Sequence, residues 1–90
     1  MPEEITVEDL IRREAKARGL PEEIALAVAE QESGFNPGAL NPKIVKGETG
    51  GAMGVFQFLP SVAKSRGINA RDPVQNIRGG VAYLSELMDK

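Results

Sequence analysis

The chain of 90 residues contains neither cysteine nor histidine. Without cysteine there is no disulfide framework and no thiolate zinc site. Without histidine, the commonest metal ligand and the usual catalytic base near neutral pH are missing as well. Any chemistry must therefore run on carboxylates, hydroxyls or amides, with no metal and no organic cofactor expected. Charge of one sign is not concentrated either. The 11 basic and 13 acidic residues give a net charge of −2 and are mixed along the chain. That leaves no basic stripe for nucleic acid and no polybasic face for an anionic lipid surface. No apolar run is long enough to span a bilayer, so membrane insertion is not expected. Met1-Pro2-Glu3-Glu4 does not begin a positive segment followed by an apolar one, so no export signal is expected at this end. Internal repeats, linkers and low-complexity runs are absent too.

What is present is a hydrophobic content of 41% in 90 residues. This fits one small domain over residues 1–90 that buries only about two-thirds of its unfolded surface. The first helix is expected after Ile5 and Thr6, with Thr6 as N-cap, Glu8 and Asp9 at the positive end of the helix dipole, and Ile5 stapled onto Leu10. Gly19 ends it. Pro21 restarts the chain in a first-turn position ahead of Glu22 and Glu23, and Gly34, Asn36 and Pro37 break this second helix. Residues 34–54 hold most of the turn formers, including Gly47, Gly50, Gly51 and Gly54. Ile44 and Val45 are the only strand-like stretch there, which allows a small hairpin. Pro60 opens a short helix that Gly67 closes. Asp72 and Pro73 cap the last helix, in which Val74, Ile77, Val81, Leu84 and Met88 recur at helical spacing. The expected fold is mainly α, with four to five short helices and a glycine-rich loop or small hairpin around residues 43–56.

Within the second helix, at about 100° per residue, Ile24, Ala25, Val28 and Ala29 form one stripe, and Glu32 falls inside it. Glu30 points well away. A carboxylate held against Val28 and Ala29 is disfavoured in its charged form, so Glu32 is expected to keep its proton as a general acid does. No partner acid is convincing: Glu48 lies in a loop expected to be flexible, and Asp72 is explained as a cap.

Three ordered blocks then carry a family resemblance. They are Gln31-Glu32-Ser33-Gly34-Phe35-Asn36-Pro37; Gly51-Ala52-Met53-Gly54-Val55-Phe56-Gln57-Phe58-Leu59-Pro60; and Asp72-Pro73 through Asn76-Ile77 to Ala82-Tyr83-Leu84. Together, over most of the chain from Leu20 to Lys90, they resemble the soluble lytic transglycosylase (SLT) family of lysozyme-like folds. The resemblance implies cleavage of the β-1,4 bond between N-acetylmuramic acid and N-acetylglucosamine in peptidoglycan, ending in a 1,6-anhydromuramyl product. It implies Glu32 as the sole catalytic acid and base, and glycan strands as partner, with the cell wall or periplasm as the site of action.

The supporting positions implied are Ser33, which either orients the acid or caps the last turn; Gln57, whose amide bonds sugar N-acetyl and hydroxyl groups; Phe56 and Leu59, as cleft wall or plain core; and Asn41, where relatives often have serine. Two departures stand out. Lys43 to Thr49 lengthen the loop before the glycine block, and the family's Ala-Tyr-Asn-Ala-Gly block, beyond the Ala-Tyr-Leu helix, has no counterpart in these 90 residues. Tyr83 is assigned to packing, not to that role. The chain is therefore read as an enzyme, or alternatively as a non-catalytic or truncated glycan-binding or structural domain, for example within a phage virion or tail protein. An apolar strip along Val81, Leu84 and Met88 is expected to favour self-association or covering by the remainder of a parent chain.

Overall fold

The computed structural model describes residues 5–89. The segment Met1-Pro2-Glu3-Glu4, read above for an export signal, and Lys90, the last residue of the resemblance, lie outside the described residues. Four helices run in order: α1 (Val7–Arg18), α2 (Glu22–Ser33), α3 (Pro60–Ser65) and α4 (Pro73–Met88). The helix starts follow from local chemistry. Thr6 Oγ1 accepts a hydrogen bond from the Asp9 amide at 3.1 Å, and Asp72 accepts from the Val74 and Gln75 amides, so both side chains satisfy donors that the first helical turn leaves free. Ile5 remains 48% exposed, so the expected staple onto Leu10 is at most partial. Gly34 closes α2 at φ 63°, and Phe35 follows in the same left-handed region. The chain thereby turns sharply away from the helix axis.

The core is one cluster. Ile11 and Ala15 of α1 meet Ala25 and Ala29 of α2, Ile77 and Val81 of α4, and Val55, Phe56 and Phe58 from the loop before α3. Helix α1 packs against both α2 and α4. Small residues on α2 suit that packing, since alanines let a neighbouring helix approach closely. Along α4 the expected stripe is only partly buried: Ile77 and Val81 are core, whereas Val74 and Met88 are exposed at 40% and 54%.

The glycine-rich segment is a loop, with no hairpin at Ile44 and Val45. Those two side chains are exposed, and the pairing lies elsewhere, in single antiparallel bridges from Leu40 to Met53 and from Met53 to Phe58. One buried polar group anchors this loop. Asn76 is fully buried on α4. Its Oδ1 accepts from the Phe56 amide at 2.9 Å, and its Nδ2 donates to the carbonyls of Met53 and Ala70, each at 3.0 Å. Every hydrogen-bonding direction of that carboxamide except one acceptor lone pair is used. No helix of the described residues is long and apolar enough to cross a membrane.

Candidate active site

A cleft of about 340 Å³ opens between the end of α2, the loop before α3, and α4. It is lined by Val28 and Glu32 from α2, Phe56 to Leu59 from the loop, Val62 from α3, and Gly80, Tyr83, Leu84 and Leu87 from α4. Four of the residues singled out from sequence, Glu32, Phe56, Gln57 and Leu59, therefore come together. Among the described residues, Glu32 is the only carboxylate in the lining.

The burial expected for Glu32 is not found: its side chain is exposed. Periodicity gave its direction correctly, since it follows Val28 by one turn on the face shared with Ala25 and Ala29. Periodicity does not say what lies opposite, however. At this end of α2 the facing segment of α4 offers Tyr83 and Leu87, themselves 42% and 48% exposed, across an open cleft where closed packing was expected. The burial inferred from the stripe is thus not provided by the fold.

Ser33 and Asn41 are not in the lining. Ser33 Oγ donates to the Val55 carbonyl at 2.7 Å, with a longer contact of 3.3 Å to the Ala29 carbonyl, and accepts from the Asn36 amide. Its proton is therefore committed to backbone, and the hydroxyl ties the helix end carrying Glu32 to the loop carrying Gln57. Asn41 accepts from the Lys43 amide at 3.0 Å in a local turn.

Gln57 is held under constraint. Its backbone lies at φ 53°, a region that costs a non-glycine residue roughly 1–2 kcal/mol. Its Nε2 donates to the carbonyls of Gly54 at 3.0 Å and Ala39 at 3.2 Å. Both amide protons are used by the fold, and among the described residues Oε1 has no partner. Gln57 can therefore offer a ligand an acceptor, such as for a sugar N–H or hydroxyl, but not the donor also expected of it.

Sequence reasoning missed Tyr83 as a lining residue, having assigned it to packing. The ring does make one contact: the Arg66 guanidinium lies 5.0 Å from its centroid. Arg66 also forks onto Glu86, with Nη2 to Oε2 at 2.6 Å and Nη1 to Oε1 at 3.1 Å, which ties α3 to α4 beside the cleft. The available signal was the spacing of Gly80, Tyr83, Leu84 and Leu87 along one helical face. Gly80 belongs there because the Phe56 ring lies directly on it, where a Cβ would collide. Among the described residues, no group of three or more acidic side chains is placed to hold a metal ion.

A small, mainly helical domain with an open cleft of this lining is compatible with a lysozyme-like fold. Comparison with known proteins narrows the class. The transglycosylase SLT domain matches residues 9–90. The chain is 44% identical over 71 residues to the transglycosylase of Enterobacteria phage PRD1, covering 78% of this chain and 24% of the phage protein. It is 33% identical over 93 aligned residues to membrane-bound lytic murein transglycosylase C of Histophilus somni strain 2336, covering 90% and 24%. With membrane-bound lytic murein transglycosylase F of Shewanella loihica it shares 40% over 65 residues, covering 71% and 12%. The chain belongs to the SLT domain family, and it spans about a quarter or less of the length of these relatives.

Proposed function

We propose that this chain acts on peptidoglycan as a lytic transglycosylase, with Glu32 as its only acid and base. The observation that carries the reading is the single carboxylate in the cleft of an SLT-family domain. Most glycosidases that use water or a covalent intermediate employ two carboxyl groups. One suffices when the substrate supplies its own nucleophile.

Glu32, protonated, gives its proton to the glycosidic oxygen as the bond from muramyl C1 to that oxygen breaks. The same carboxylate then takes the proton of the muramyl C6 hydroxyl as O6 closes on C1. The proton balance on the enzyme is zero, and the product is a 1,6-anhydromuramyl end. The free carboxamide oxygen of Gln57 and the apolar wall of Phe56, Leu59 and Leu84 would orient the sugars. A glycan filling the cleft would exclude water from Glu32, so substrate, and not the fold, would supply the dry surroundings that favour general-acid action. The cell wall or periplasm follows as the place of action.

A second reading has its own support: Glu32 is exposed, and Tyr83 and Leu87 leave the α4 side of the cleft open. These features suit a glycan-binding or structural domain that a further segment or protein completes. Mass spectrometry of the soluble products from purified peptidoglycan separates the two. Anhydromuramyl products from the parent chain and none from Glu32→Gln support the enzyme. A folded chain that releases nothing while still retaining glycan leaves the binding domain. Hydrolysed reducing ends would refute the one-carboxylate mechanism.

A further inference from the structure

The loop that lengthens this chain, Lys43 to Thr49, is fastened beside the cleft by one side chain. Helix α3 begins with Leu59 as N-cap, and Leu59 contributes no side-chain hydrogen bond. Pro60 has no amide proton to satisfy, so the first orphan donor of this helix is the amide of Ser61. Glu48, 13 residues earlier in the chain, fills that role: its Oε1 accepts from the Ser61 amide at 2.9 Å, and its Oε2 accepts from Ser61 Oγ at 2.5 Å. Both bonds hold the Glu48 carboxyl below its usual range, the hydroxyl contributing most. At the base of the loop the Asn41 amide donates to the Ala52 carbonyl at 2.8 Å. Gly51 packs so closely on the Asn41 carbonyl that no side chain would fit. The loop is thus closed at its base and tied at its far end to the start of α3.

Ser61 lies between Leu59, the N-cap of α3, and Val62 within it, both of which line the cleft. We propose that Glu48 is a positioning residue, latching the 43–49 loop to α3 so that Leu59 and Val62 hold the cleft wall opposite α4. It touches no reacting atom. Its effect on a glycan runs entirely through that wall, so the inference deepens the reading of the cleft as a glycan site and depends on it only in its kinetic arm.

The test uses the whole chain and three variants: Glu48→Ala, Glu48→Gln and Ser61→Ala. Glu48→Ala should speed exchange of the Ser61 amide roughly tenfold, since a charge-assisted bond to it is lost, and should move the methyl resonances of Leu59 and Val62. Glu48→Gln keeps a carbonyl acceptor for that amide and a donor for Ser61 Oγ, so it should restore most of both effects. Ser61→Ala should produce a smaller shift in the same methyls. With peptidoglycan as substrate, Glu48→Ala should raise KM roughly threefold to tenfold with kcat within about twofold, because a wall that contacts ground and transition states alike acts on binding.

Leu59 and Val62 methyls that stay in place in Glu48→Ala would overturn the proposal, whatever happens to overall stability. So would a fall in kcat at unchanged KM. Should the parent chain neither bind nor cleave glycan, the enzymatic reading fails, while the methyl and exchange data still decide for or against the latch.

Discussion

Replacing Asn76 by alanine removes three hydrogen bonds, but their loss is unequal. The Met53 carbonyl keeps a partner, because the Phe58 amide also donates to it at 3.0 Å. The Phe56 amide and the Ala70 carbonyl have no alternative partner among the described residues and are left unpaired beside a fully buried position. An unsatisfied buried group costs about 1–3 kcal/mol, so two orphans give about 2–6, and water entering the vacated space moves the expectation to about 3 kcal/mol. A chain of this size has on the order of 5–13 kcal/mol in total, so the variant should still fold, with a Tm lower by roughly 12–24 °C. Thermal and urea unfolding followed by far-UV circular dichroism would measure it, with the midpoint falling and the denaturant slope unchanged. Asn76→Asp is the informative companion. It keeps an acceptor for the Phe56 amide yet turns the donor into a carboxylate oxygen facing two carbonyls, and should be at least as damaging as alanine. A loss under about 1 kcal/mol for alanine, or a well-tolerated aspartate, would refute the assignment of Asn76 as the pin of the 53–58 loop.

Other outcomes follow from the same contacts. Glu32→Gln should lower product release by a factor on the order of 10² to 10⁴ while leaving stability within about 0.5 kcal/mol, since the replaced side chain is exposed; calorimetry alongside product analysis checks both. Gly80→Ala should cost about 1–2 kcal/mol despite the better helix propensity of alanine, because the Phe56 ring must move, and it should weaken glycan affinity in a binding titration. For Glu48, the folded carboxyl titrates below its ordinary value of 4.5 because of its bonds to Ser61. Its contribution to stability is therefore complete above that ordinary value and lost as pH falls through the lower folded one. As pH falls from above that ordinary value of 4.5 into the acid range below it, the parent should lose more stability than Glu48→Gln does; equal losses in parallel melts would contradict it.

The helix ends were legible because each rests on chemistry local to a few residues. Thr6, Asp72 and Pro73 act as caps and first-turn residues whatever the rest of the chain does, and they stand where the spacing placed them. Glu32 marks the limit of that kind of reading. Its angular position on α2 was legible, whereas its exposure depends on how far α4 stands off, a distance that no local pattern encodes. Glu48 failed in the opposite sense. Its loop reads as flexible by composition, but its carboxylate reaches a helix start 13 residues away, and nothing near Glu48 in the chain announces Ser61 as its partner. Ile44 and Val45 show β-propensity overridden: with no neighbouring strand to pair with, they stay exposed in the loop.

The candidate site combines an exposed acid with tightly fixed backbone, and the two properties have separate origins. Glu32 owes its exposure to the open cleft, but the residue after it is anchored by Ser33 Oγ to the Val55 carbonyl. Val55 in turn precedes Phe56, whose amide is held by Asn76 of α4, and Gln57, whose amide group is bonded to Gly54 and Ala39. The acid on α2 and the glutamine on the loop are therefore placed relative to each other by a chain of short hydrogen bonds, although neither residue is buried. The left-handed backbone at Gln57 persists because those bonds over-determine it. Fixed placement beside an open cleft is what the proposed single-acid reaction would require: geometry preset by the fold, and room for the substrate to bring its own nucleophile.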